Sequence, residues 1–216
     1  MPTIIVSYDG TDNDRDALAL GDLLAGAGAP LELAYVRHSE RLEEHEAVAL
    51  LARGAASVRR PDAPQHVVVS ASTAEGLRGL ARERGADVVV FGSEYRTAPG
   101  HVDPQATARR LLDGGQVALA LAPAGFAERN GYRVATVAAV GEDGDPCPRE
   151  TAEVLAGRLG ADVAEKAGRD ADLLVVGSKP GTVQGRVRVS AAAEYLIELA
   201  TCPVLVLPRG VAVTFD

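Results

Sequence analysis

Apolar residues recur along this chain in two alternating rhythms. Ile4 to Ser7 is a short β-rich run, and Ala17, Leu20, Leu23 and Leu24 then return at helical spacing, which predicts a strand, a turn and a helix. Leu31 to Val36 reads as the next strand. A helix follows, with Val48, Leu51, Ala52 and Ala55 expected on its buried face. The acids Glu40, Glu43, Glu44 and Glu46 lie near its start, where they suit the helix dipole. The prolines of RRPDAP end it. His66 to Ser70 predicts a third strand. Ser72 and Glu75 then make a capping-box pattern that opens a helix with Leu77, Leu80 and Ala81 on one face. Ala86 to Phe91 is a continuous apolar run, the form taken by parallel strands covered on both faces. Strands alternating with helices predict an α/β fold with an open parallel sheet, whose ligands collect at the carboxyl ends of the strands. Asp9 and Gly92 both stand at such ends.

A second pattern runs at longer range. The stretch ADVVVFGSEYRTAPGHVDPQATARRLLDGGQVALALAPAG, from Ala86, aligns without gaps to ADLLVVGSKPGTVQGRVRVSAAAEYLIELATCPVLVLPRG, from Ala171, at a constant offset of 85 positions. Asp87 meets Asp172, Gly92 meets Gly177, Ser93 meets Ser178, Thr97 meets Thr182 and Gly100 meets Gly185. The opening segments TIIVSYDG and VATVAAVGEDG also correspond. Asp9 to Gly92 spans 83 positions but Asp143 to Gly177 only 34, so the second half lacks about 49 residues, read here as a strand, helix and strand. These features predict two domains, 1–125 complete and 131–216 trimmed, with a short linker at Phe126 to Gly131. So small a second unit covers its sheet poorly alone and is expected to pack on the first.

Composition narrows the function. The 216 residues carry 47% hydrophobic and 24% charged residues, an ordinary globular balance. The net charge of −8 opposes nucleic-acid binding, which needs concentrated positive surface. Cys147 and Cys202 are far apart and outside any metal-ligand spacing, so neither a zinc site nor a disulfide framework is expected. MPTIIVSYDG has no basic leader and too short an apolar run for a span, so the expectation is a cytoplasmic protein without membrane contact.

Candidate chemistry centres on SYDGTDNDRD, residues 7–16. An EF-hand loop counted from Asp12 needs Gly sixth and Glu twelfth, where Ala17 and Leu23 stand. A DxDG[TS] phosphatase needs Asp as its nucleophile where Ser7 stands, so no phosphoaspartate forms by that route. No GxSxG, HExxH or P-loop occurs, and His38, His45, His66 and His101 lack spaced partners. Asp12, Asn13, Asp14 and Asp16 read as caps and first-turn acids. The expectation is a protein without turnover, a phosphatase or ATPase being the enzyme alternative.

On IIVSYDG, ADVVVFGS, ADLLVVGS and TCPVLVLP, the chain resembles the universal stress protein family in a tandem form. The resemblance implies stress physiology and a Rossmann-like, doubly wound domain of the adenine nucleotide α-hydrolase kind, repeated here with the second copy trimmed. It also implies pairing through the last strand, around Val117 to Leu121 and Val204 to Leu207, within one chain or in a homodimer. Asp9 would contact ribose and the Val36 backbone adenine. Nucleotide-binding members carry Gly, two residues, Gly, nine residues, Gly and Ser/Thr, because bare glycine lets phosphates reach N–H groups. Gly92 with Ser93 opens that motif here, but Tyr95, Gln105 and Ala106 replace the rest. In the second copy Gly177 is followed by Pro180, Ser190 and Ala191. Arg96, His101, Asp103 and Thr107 offer a replacement cradle, since guanidinium holds phosphate or carboxylate where glycine amides no longer can. Lys179, Arg186 and Arg188 make the matching second loop the most basic of the chain. The expectation is an altered site for ATP, another adenine nucleotide or a small anion, against a paired scaffold without nucleotide.

Overall fold

The computed structural model describes residues 3–38, 44–129, 131–165 and 171–215. The chain folds in the order β1 (Ile4–Ser7), α1 (Asp12–Ala25), β2 (Leu31–Arg37), α2 (Glu44–Ser57), β3 (Gln65–Val69), α3 (Thr73–Arg84), β4 (Val88–Phe91), α4 (Ala106–Leu112) and β5 (Ala118–Leu121). A 3₁₀ turn at Phe126–Glu128 leads to β6 (Thr136–Val140), α5 (Cys147–Leu159), β7 (Asp162–Val163), β8 (Leu173–Val176), α6 (Ala191–Leu199) and β9 (Val204–Val206). All nine strands form one sheet in the order β3-β2-β1-β4-β5-β9-β8-β6-β7. Every pair is parallel except β5 with β9, where Leu119, Ala120 and Leu121 face Val206, Leu205 and Val204. The two expected parallel arrays are therefore joined edge to edge. Pro203, which has no N–H to give a ladder, precedes β9 and offers only its carbonyl, to Leu174.

Burial follows position in the sheet. The central strands β4, β5, β8 and β9 are wholly buried, whereas the edge strand β3 is half-exposed. Alternation sends Val88 and Val90 to one face with α1, α2 and α5, and Val89 and Phe91 to the other with α3, α4 and α6. Each of these apolar layers continues across the β5·β9 joint.

Several local expectations need correction. The buried positions of α2 are Ala47, Leu51, Gly54 and Ala55, while Val48 and Ala52 face solvent; Glu40 and Glu43 lie outside the described residues. Ser72 is the N-cap of α3, yet its side chain makes no capping bond. What the second half lacks relative to the first is a helix, strand and helix rather than a strand, helix and strand, because the two-residue β7 lies beside β6 as β2 lies beside β1. Without such a section α6 is partly uncovered: Leu111 of α4 is fully buried, but Leu196, its partner at the offset of 85, is half-buried and the neighbouring Tyr195 is 61% exposed. The linker is no loose tether, since Phe126 is buried and stacks edge-on against Tyr132 at 4.9 Å. Asn130 falls outside the described residues.

At the opposite end of the sheet from the loops that follow β1 and β4, hydrogen bonds to one buried carboxylate tie β2, β3 and α3. Glu32, almost fully buried, accepts two hydrogen bonds from Arg84, at 2.8 and 3.0 Å, and one from His66 at 2.7 Å. Burial works to raise its pKa, but the hydrogen bonds from Arg84 and His66 outweigh burial and hold it below the ordinary value. Glu32→Ala removes the acceptor that Arg84 and His66 share and is expected to lower unfolding free energy by about 2 kcal/mol, measured by urea titration. A change under about 1 kcal/mol would show that these hydrogen bonds add nothing to folding.

Candidate functional site at the strand ends

The β1–α1 turn is built on carboxylates that fold inward. Asp9 accepts the Thr11 N–H at 3.0 Å, an Asx turn that places Gly10 at φ 87°, a conformation suited to glycine. Asp14, one turn into α1, is buried and accepts the Asp9 N–H. The two carboxyl groups also hydrogen-bond to each other. Burial pushes Asp14 up to about 8, and the adjoining Asp9 adds to that rise. For Asp9, burial opposes ionisation, but hydrogen bonds from Asp14 and Thr11 outweigh it and lower its pKa. One proton is thus held on Asp14 beside an ionised Asp9.

Asp16 is also buried, and it reaches out of the helix to take the N–H groups of Gly125 at 2.8 Å and Ala127 at 2.7 Å. The first-turn acids therefore do more than suit a dipole: one clamps the turn and another clamps the linker. Thr11, the N-cap of α1, makes no side-chain capping bond.

Gly92 lies beneath this turn. A Cβ placed on it would stand 1.9 Å from the Asn13 carbonyl oxygen, so bare backbone is required for α1 to seat on β4. Ser93 is equally committed. Its hydroxyl donates to the Ala122 carbonyl at 2.7 Å and accepts the Asp103 N–H at 3.2 Å. Ser178 repeats both bonds, to Leu207 at 2.7 Å and from Arg188 at 3.1 Å.

The cleft at these strand ends, of about 990 Å³, runs between the start of α1, Glu94 and Tyr95, and the 3₁₀ turn. Asp12, Asp16, Glu94 and Glu128 line it, with Arg15 as the one basic lining residue, and Arg15 pairs with Asp12 at 3.5 Å. The residues expected to form a replacement cradle do not gather there. Arg96 lies over the exposed Tyr95 ring at 5.0 Å, His101 is exposed, Asp103 pairs with Arg109 and Thr107 sits in α4. Val36 is placed differently. The Ala34 carbonyl bonds to Tyr8 on the β1 side and the Arg37 carbonyl to Ser70 on the β3 side. Alternation turns the Val36 peptide groups toward the β1 side, beyond the last β1 residue paired with β2.

In the second half the equivalent space is filled from within. Arg209 stands where the first half has Ala124, at the same offset of 85. Its guanidinium donates to the Glu142 carbonyl at 2.9 Å and lies 3.5 Å from the Asp145 carboxylate. Asp145 also accepts N–H groups from Cys147 at 3.1 Å and Gly210 at 3.2 Å. Burial of Asp145 is outweighed by these bonds, which lower its pKa. Arg186 and Arg188 turn toward the first half, to the Gly114 carbonyl and the Asp113 carboxylate. Both cysteines are free and buried, and burial pushes each thiol up to about 11, so neither is poised as a nucleophile. Among the described residues no cluster of three metal-ligating side chains occurs, and no helix is long and apolar enough to cross a membrane.

Residues 103–208 match the universal stress protein family. That segment runs from the loop after β4 to the end of β9. A search of curated proteins finds no match. A universal stress protein from Archaeoglobus fulgidus is similar in structure over 96% of this chain and 98% of its own, at 13% identity and a TM-score of 0.70. A functionally unknown protein from Pseudomonas aeruginosa PAO1 is similar over 97% and 93%, at 14% identity and a TM-score of 0.65. At these identities the likeness establishes the fold, a mostly parallel α/β sheet shared with a universal stress protein.

Three arrangements at the strand ends escaped the sequence reading: the inward Asp14, the Asp16 clamp on the linker, and the placement of Arg209. Only the last left a signal, an arginine facing an alanine at the repeat offset.

Proposed function

We infer that this chain is a non-catalytic binding protein of the universal stress protein type. Two copies of the domain, 1–125 and 131–216, pair within one polypeptide through β5 and β9, and the strand-end cleft no longer takes a nucleoside triphosphate. The acid lining of that cleft carries the reading. Four carboxylates and one already paired arginine repel a polyphosphate, and Gly92 is shielded by Asn13 from any ligand approaching its backbone. Arg209 closes the matching space in the second copy. The same features favour a pairing scaffold over a phosphatase or ATPase, because the hydroxyls that touch a base among the described residues, Thr73 on His38 and Ser190 on Glu142, stand outside the strand-end cleft.

One observation keeps a narrower ligand in view. Asp9 and the Val36 backbone, at the ends of β1 and β2 beside the cleft, occupy the positions that the resemblance assigns to ribose and adenine, which supports adenosine without phosphates over ATP as a ligand. Calorimetric titration with ATP and with adenosine tests both. The expected result is no saturable ATP binding at about 1 mM ligand. Micromolar ATP binding that is lost in Asp9→Ala would overturn the scaffold reading in favour of a nucleotide sensor, and phosphate release would make the protein an enzyme.

A further inference from the structure

A second cleft, of about 440 Å³, opens where the two halves meet, and it shares no lining residue with the strand-end cleft. Its apolar lining includes two repeat pairs, Pro104 with Val189 and Leu112 with Ile197, each at the offset of 85. The cleft therefore straddles the relation between the halves. Leu112 and Ile197 are nearly fully buried and supply a dry floor.

The charged lining is sorted by sign. Lys179 and Arg188 are held side by side, because the Lys179 N–H donates to the Arg188 carbonyl at 2.7 Å. Their repeat partners in the first half are the acids Glu94 and Asp103. Glu194 and Glu198 stand one helical turn apart on α6, so both project toward one side of that helix. Arg188 is paired with Asp113 at 3.2 Å, and Arg109 with Asp103. Lys179, Glu194 and Glu198 have no ion-pair partner among the described residues.

We propose that this cleft binds a small zwitterion with an apolar side chain, the chemical class of an α-amino acid. The ligand carboxylate meets Lys179, its ammonium meets Glu194 and Glu198, and its side chain covers Leu112 and Ile197. Charge decides the class. The lining carries three cations, Arg109, Lys179 and Arg188, against the carboxylates Asp113, Glu194 and Glu198. A polyanion is repelled by the α6 carboxylates, and a neutral hydrocarbon strips water from Lys179 without replacing it. The volume lies within the range of small-molecule clefts. This site goes beyond the function proposed above and does not depend on it.

The test is calorimetric titration of the full chain with L-leucine, leucinamide and N-acetyl-leucine. Leucine is expected to bind saturably, with both one-charge analogues at least about tenfold weaker. Lys179→Met and Glu194→Gln are each expected to weaken leucine at least about tenfold while circular dichroism and melting temperature stay at wild-type values. No heat of binding up to about 20 mM leucine would overturn the proposal. So would N-acetyl-leucine binding as tightly as leucine, which would make the site a simple anion site, or leucine binding unchanged in both variants.

Discussion

Gly92→Ala is expected to cost about 3 kcal/mol or more of folding stability, in the upper range for overpacking a filled interior. The new methyl group would overlap the Asn13 carbonyl oxygen, a backbone atom in the first turn of α1, and no rotamer change can relieve it. Either α1 lifts off β4 or the turn at Asp9 and Gly10 opens. Gly177→Ala is the internal control. The same residue in the repeat would meet only the Pro148 Cγ, at 2.7 Å, the outer edge of a ring that can pucker away. Urea unfolding of the two variants checks the contrast. Equal losses would show that the close approach at Gly92 is not what fixes α1. The comparison also bears on function, because a glycine needed for seating a helix is explained without any phosphate.

Asp14→Asn is expected to stabilise the protein at pH 8, by about 3 kcal/mol, with the gain shrinking toward pH 4. The sign follows from burial. The folded state raises the Asp14 pKa to about 8, while the unfolded chain keeps it near the ordinary carboxylate value. Stability from the protonated pair is therefore complete below the unfolded pKa and is lost as pH rises through about 8. An amide holds the geometry without a proton: its oxygen accepts the Asp9 N–H and its NH₂ donates to the Asp9 carboxylate. Urea midpoints for wild type and variant across pH 4 to 9 measure the difference. A variant less stable than wild type at pH 8, or a gap independent of pH, would show that Asp14 is ionised in the folded protein.

How far the sequence revealed this molecule depends on the kind of signal each feature leaves. Strands β1 to β5 were legible because continuous apolar runs such as Val88 to Phe91 fit only a doubly covered sheet. The repeat was legible because it extends to hydrogen bonds: Ser93 and Ser178 make equivalent bonds at equivalent positions, so both serines and the residues around them are constrained. The alanine-rich helix α2 was misaligned because Ala47, Val48, Ala52 and Ala55 give little contrast between faces, and the true face was a fraction of a turn away. At the strand ends the motif positions were plain but their surroundings were not. A carboxylate in a turn reads as solvated, and nothing local marks that Asp14 and Asp16 point inward to backbone N–H groups contributed by the turn itself and by residues more than 100 positions away. Arg96, His101, Asp103 and Thr107 are close in sequence, but none of them lines the strand-end cleft.

The antiparallel joint between β5 and β9 changes what a substitution means. In a symmetric dimer of identical chains, every replacement near the axis is installed twice and must be tolerated on both sides at once. Here the two faces of the joint are separate stretches of one gene product, so each can change alone. Glu94 opposite Lys179, Asp103 opposite Arg188 and Arg109 opposite Glu194 in the repeat record that freedom: at three equivalent positions the sign of charge is reversed. A surface that symmetry would have kept self-matching has become directional: at these positions the loop after β4 is acidic and the loop after β8 basic, while the helices that follow them reverse the order.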